Sequence, residues 1–263
     1  MMQTVTSRDG TPIAFWQSGS GPPLLLVHGA TADHSTTWRI VGPLLAERRT
    51  VYAMDRRGRG GSGDGPDYAI DREAEDVAAV LEAIGRPTDL LGHSHGGLCA
   101  LEGARLAKNV RRMILYEPAI HPEGAAARPE VIDRIEAQAQ AGDHEAALVT
   151  MLRDMADMTP QEIEIMRSQA EAWEARKANV GTVPREVRAL ARYVFDPARF
   201  ADVQAPTLVM VGGDSAPFVR RTGKEVVQAL PNARLLALPG QQHGAMYTAP
   251  DLFVAEVMGF LEE

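Results

Sequence analysis

Over the first 120 residues, short apolar runs end repeatedly in glycine-rich turns. The runs are Ile13 to Trp16, Leu24 to Val27, Val51 to Met54, Leu90 to Leu91 and Met113 to Tyr116. Each has strand length and turn punctuation at its end. Between the later runs the apolar period lengthens. Ile70, Ala74, Val77, Leu81 and Ile84 are spaced by three and four, with charges on the opposite face and Gly85 just beyond. That spacing predicts an amphipathic helix with a glycine C-cap. Strands alternating with helices predict an α/β fold, a mostly parallel central sheet with helices on both faces.

The pattern changes after Glu117-Pro118. From about 121 to 199 no strand is predicted. The segment is rich in Ala, Glu, Arg and Met, and Pro129, Pro160 and Pro184 stand where helices start. Strand texture returns at Thr207 to Val211 and at Ala233 to Leu238, and a final helix opens at Pro250-Asp251. The expected organisation is a core of residues 1–120 and 200–263, with residues 121–199 a helical cap inserted before the last two strands.

Composition narrows the function. The chain has 263 residues, 45% hydrophobic and 24% charged, the profile of an ordinary globular protein. No apolar run approaches the ~20 residues of a membrane span. The first ten residues lack the apolar stretch of a signal peptide, and the single Cys99 cannot close an internal disulfide. A cytoplasmic location is expected. The net charge is −8 with basic residues scattered, which argues against nucleic acid as a partner. There is no Cys/His cluster with zinc spacing, so no metal is expected, and no cofactor is expected either. The expected partner is a small-molecule substrate, and no oligomeric state is implied.

The strongest local signal is Gly92-His93-Ser94-His95-Gly96, between a strand-like run and the helix-like run Leu98 to Ala104. Gly-x-Ser-x-Gly between strand and helix is a nucleophile elbow. Its tight turn lifts the serine Oγ clear of the sheet. The His95 N–H then opens a helix, where it can face an oxyanion. A second signal is Leu24-Leu25-Leu26-Val27-His28-Gly29-Ala30, whose Ala30 N–H is the expected second oxyanion donor. His28 is expected to fix that loop, and the glycine-rich run from Asp55 to Gly63 to be structural.

Taken together, these motifs resemble the α/β-hydrolase superfamily. The likeness covers nearly the whole chain: His28-Gly29, the Asp55-Arg-Arg-Gly-Arg-Gly run, the Ser94 elbow, the helical insert, Pro206-Thr-Leu-Val-Met-Val-Gly and Pro239-Gly-Gln-Gln-His243. The superfamily's order of nucleophile, acid and histidine implies His243, in the loop after the last strand, as general base. His34 is expected to touch substrate, and His121 and His144 fall in or near the insert. For the acid, the usual turn reads Gly212-Gly213-Asp214-Ser215. In relatives the acid stands three residues after the glycine, which is Ser215 here. Asp214 falls one residue early. Glu117 ends the preceding strand, at a point that resembles haloalkane dehalogenases and zearalenone-type lactonases. Glu117 is therefore preferred, with Asp214 the alternative.

The elbow excludes dehalogenase and epoxide-hydrolase chemistry, since those relatives carry Asp where this chain has Ser94. The resemblance implies a serine hydrolase of carboxylic esters or lactones that forms an acyl-enzyme. Methionines of the insert suit a bulky apolar substrate, and Met151, Met155 and Trp173, with His34, are the expected pocket residues. Two other readings stand beside it. One is a cofactor-free oxygenase or lyase, because His93-Ser94-His95 resembles the elbow of cofactor-free quinolone dioxygenases. The other is a ligand-binding or signalling protein with a residual triad.

Overall fold

The computed structural model describes residues 1–65, 67–120 and 128–263. His121 and the expected start of the insert lie outside the described residues.

Eight strands form one sheet: β1 (Met2–Thr6), β2 (Pro12–Ser18), β3 (Pro23–Val27), β4 (Thr50–Met54), β5 (Thr88–His93), β6 (Val110–Tyr116), β7 (Thr207–Gly212) and β8 (Ala233–Leu238). Their spatial order is β1-β2-β4-β3-β5-β6-β7-β8. The pairs β1–β2 and β2–β4 are antiparallel, and every pair from β4 to β8 is parallel. Strand β1 is absent from the sequence expectation. It is an edge strand whose residues alternate between exposed and half-buried, so it contains no apolar run to betray it.

Alternate residues of the central strands feed two cores. Leu24 and Leu26 join one cluster, Leu25 and Val27 the other. Helices α1 (Val41–Ala46) and α11 (Pro250–Leu261) pack in the first. Helices α2 (Ile70–Ile84), α3 (His95–Leu106) and α9 (Pro217–Ala229) pack in the second. The C-cap of α2 is Gly85, left-handed at φ 71°, as its spacing requires.

Between β6 and β7 every described element is helical: α4 (Pro129–Gln140), α5 (His144–Thr150), α6 (Pro160–Arg167), α7 (Ala170–Ala178) and α8 (Val183–Arg192). All three prolines stand in the first turn of a helix, where a missing N–H costs nothing. A π-helical turn, Met151–Met155, follows α5, and Asp157 just after it is left-handed at φ 51°. Buried ion pairs fasten this insert to the sheet. Glu186 of α8 accepts from Arg56 at 3.1 Å and from Arg59, both from the loop after β4. A short helix α10 (Ala245–Thr248) separates β8 from α11.

Candidate active site

The carboxyl ends of the parallel strands converge on one edge of the sheet, where ligands of such folds bind. Ala30 follows β3, Ser94 follows β5, Glu117 follows β6, Gly212 closes β7, and His243 lies in the loop after β8. A cavity of about 320 Å³ opens there, the size of a small-molecule site. Ser94, His243, Glu117, Ala30, His95, Met151 and Met155 all line it.

Ser94 sits at φ 55°, ψ −123°, a backbone conformation that non-glycine residues rarely hold. The surrounding packing imposes it. A Cβ on Gly92 would lie 2.5 Å from the Gly96 carbonyl oxygen, and one on Gly96 would collide with the His28 and Val27 carbonyl oxygens. Only glycine lets strand β5 and helix α3 approach so closely. Ser94 Oγ has no hydrogen-bond partner among the described residues, and the same holds for the Ala30 and His95 amides. A hydroxyl and two N–H groups of cavity-lining residues therefore remain uncommitted.

The His243 imidazole is held by Glu117. His243 Nδ1 donates to Glu117 Oε2 at 2.7 Å, and that carboxylate is 4% exposed. Its other oxygen accepts from the Gly212 N–H at 2.8 Å and from Ser215 Oγ at 2.5 Å. The turn where relatives carry their acid thus supplies two donors to an acid from the neighbouring strand. Asp214 is exposed at the cavity rim, and its backbone N–H bonds Gln241 O at 3.0 Å. Burial alone would push the Glu117 carboxyl up. The His243 hydrogen bond and charge, with Ser215 and Gly212, outweigh it and hold it below the usual range. Burial alone would likewise lower His243. The Glu117 bond and charge, with the charges of Glu162 and Asp157, raise it above the usual histidine value.

The His243 loop is pinned from three directions. His93 Nε2 donates to His243 O at 3.1 Å, Tyr116 Oη donates to Gln242 O, and the Gly244 N–H donates to Glu162 Oε1 at 2.9 Å. Glu162 belongs to the insert. The Thr159-Pro-Gln-Glu162 capping box is readable in the sequence, but it accounts for only one Glu162 oxygen. Nothing local says the other reaches residue 244. The two elbow histidines are likewise committed to structure. His95 Nε2 meets Tyr68 Oη at 3.1 Å, and burial with the nearby Arg56 charge brings its pKa down to about 4. Burial, then the His243 charge, lowers His93. His28 accepts the Arg56 N–H at 3.1 Å and ties the loop after β3 to the loop after β4.

Two expected pocket residues are not at the cavity. His34 stacks on Trp16, ring centroids 3.4 Å apart, and its Nδ1 lies 2.9 Å from the buried Asp55 carboxylate. That fully buried acid captures the ring before it can reach substrate. Trp173 is buried inside the insert, donating to Glu145 at 2.7 Å and covered by Arg167. Its area serves helix packing. Ile120, Val187, Leu190 and Phe218 line the cavity instead.

Residues 24–256 match the sequence family described as the alpha/beta hydrolase family. The chain belongs to that family. This α/β hydrolase is 29% identical, over 99% of its own length and 100% of the other, to a non-heme haloperoxidase of Rhodococcus erythropolis. It superposes with a TM-score of 0.84 on an alpha/beta hydrolase from Sphaerobacter thermophilus DSM 20745, at 35% identity, covering 98% of this chain and 100% of that one. An esterase from Rhodococcus sp. ECU1013 follows at a TM-score of 0.80 and 26% identity, with 100% and 98% covered. The chain is a hydrolase on this fold, with a cavity of small-molecule size. No helix among the described residues is long and apolar enough to cross a membrane.

Proposed function

We propose that this hydrolase cleaves carboxylic esters or lactones through a Ser94 acyl-enzyme. The observation that carries the reading is the Glu117–His243 pair opening on the same cavity as the strained Ser94. With Nδ1–H given to Glu117, His243 keeps its Nε2 lone pair free for a proton. Ser94 Oγ attacks the carbonyl carbon, and its proton passes to His243 Nε2. The Ala30 and His95 N–H groups receive the oxyanion, the second at the positive end of α3. The imidazolium, stabilised by Glu117, returns the proton to the departing alcohol oxygen. Water then attacks the acyl-enzyme by the same route in reverse. The esterase among the structural relatives supports this bond class.

In this reading residues 121–199 are the cap. Its π-helical turn offers Met151 and Met155 to the substrate, and Val187 and Leu190 of α8 complete an apolar wall. The flexible thioethers suit a bulky apolar group.

A fluorophosphonate should label Ser94 stoichiometrically, and Ser94→Ala should lose both the label and ester turnover by on the order of 10³-fold or more. A folded Ser94→Ala protein that still turns over aryl esters would refute the serine mechanism. Oxygen uptake without ester turnover would replace it with oxygenase chemistry.

A further inference from the structure

A second void, of about 30 Å³, also reaches Ser94 and His243 and shares Ala30 and Met151 with the larger cavity. It has room for a group of a few atoms, on the scale of a water or a carboxylate. Its walls include Leu152, Met158 and Met166, together with one charged side chain, Arg176 of α7.

Arg176 is 4% exposed. Its Nη2 donates to Tyr247 Oη at 2.6 Å and its Nη1 to Thr31 Oγ1 at 3.3 Å. Among the described residues it forms no ion pair. The other buried arginines all do: Arg49 with Asp89, Arg56 with Glu73, Arg57 with Asp76 and Arg59 with Glu186. A buried cation left with two neutral hydroxyls and the face of the Tyr247 ring, 5.7 Å away, is an expensive arrangement, one a fold tolerates where a ligand brings the missing charge. The backbone beside it is strained as well. Thr31 is held at φ 60°, an outlier for a β-branched residue.

The larger cavity has the opposite character. Asp214 and the Arg128-paired Asp157 stand at it, no Lys or Arg among the described residues lines it, and Ile120, Leu190 and Phe218 make it apolar. Of the two compartments, only the small one is lined by an arginine among the described residues, a natural partner for an anionic group.

We propose that the small void is a carboxylate subsite, with Arg176 as the residue that selects the substrate. Its planar fork matches two carboxylate oxygens, and Tyr247 and Thr31 hold the fork in place. Resting on the serine-hydrolase reading, this makes the substrate a compound with a compact carboxylate on one side of the scissile bond and an apolar group on the other. A half-ester of a short dicarboxylic acid has that form.

Two measurements test it. Calorimetric titration of the whole chain with acetate, against neutral acetamide, reads the subsite without any turnover. Acetate should bind, acetamide should not, and Arg176→Gln should weaken acetate about 10–100-fold. Arg176→Lys, which keeps the charge and loses the fork, should fall between, and thermal unfolding checks that each variant is folded. The second measurement is the ratio of kcat/KM for p-nitrophenyl hemisuccinate over p-nitrophenyl butyrate. That ratio should favour the hemisuccinate and collapse about 10–100-fold in Arg176→Gln. Equal acetate binding by wild type and Arg176→Gln, or an unchanged ratio with both esters slowed alike, would reduce Arg176 to a structural tie and overturn the subsite. If Ser94 is not the nucleophile, neither ester turns over while acetate binding still depends on Arg176.

Discussion

Two clusters of buried carboxylates lie beside the Ser94 elbow, and they differ in their partners. On one side Glu117 meets His243, a group that titrates near neutrality. On the other, Glu73 and Glu186 meet Arg56 and Arg59, which never lose their charge. The carboxylates of both clusters are buried. The arginine cluster fixes geometry: it joins the loop after β4 to α2 and α8, and through Tyr68 it reaches His95. The histidine cluster also opens on the cavity, so its proton can move to a bound molecule. Burial makes either pair expensive to break, but only a partner with a labile proton makes the pair reactive.

The largest expected effect separates the two clusters directly. Glu117→Gln should lower kcat by about 10³–10⁴-fold, because the neutral amide no longer favours the productive tautomer or the imidazolium. Asp214→Asn, at the exposed rim, should change kcat by no more than about threefold. Steady-state kinetics on an aryl ester read both, and reversed severities would return the acid role to Asp214. Next comes Glu73→Gln. It strips Arg56 of a buried counter-charge and should cost about 3–5 kcal/mol of stability, read by denaturant unfolding. Its pH–rate profile should keep the wild-type shape. A profile displaced as far as that of Glu117→Gln would erase the distinction.

The pH dependence is the third expectation. In the proposed mechanism His243 accepts the proton when neutral, so kcat/KM should rise with pH through the folded His243 pKa, above the usual ~6.5. In Glu117→Gln that limb should move to lower pH. The linkage to stability has the matching sign. Because His243 is raised on folding, its contribution is complete below its unfolded pKa and is lost as pH rises through the folded one. Because Glu117 is lowered, its contribution is present above its unfolded pKa and is lost as pH falls through the folded one. A limb at or below the unperturbed histidine value would show that the pair is not coupled as the geometry implies. A modest effect is expected for Glu162→Gln, with kcat/KM changed by about two- to fivefold and the limb shifted slightly down as one nearby negative charge is removed. An unmoved limb would confine Glu162 to holding the loop.

The elbow was legible because its information is local. Gly92 and Gly96 flank the serine, a strand precedes it and a helix follows, and each feature lies within a dozen residues. The loop position of His243 follows from counting strands. The alternation of strands and helices, and the proline-started helices of the insert, rest on the same short-range periods. Edge strand β1 escaped because half-burial leaves no apolar run. His34 and Trp173 were misplaced for another reason. Each is a side chain with two plausible destinations, and the nearest buried carboxylate or helix face decided between them.

What the order of residues dictated, then, is the set of turns and periods that puts a serine, a histidine and two candidate acids at the same end of the strands. Which acid meets the histidine depended on packing β6 beside β7. That adjacency brings Ser215 and Gly212 to one Glu117 oxygen and leaves the other for His243. Arg176 and Glu162 gain their places only when the insert folds back over the sheet, beside Thr31 and Gly244, 145 and 82 residues away along the chain. Hydrogen bonds and charges act over a few ångströms, whereas sequence patterns report only neighbours on one helix or strand. Contacts that bridge such separations are set by the tertiary fold.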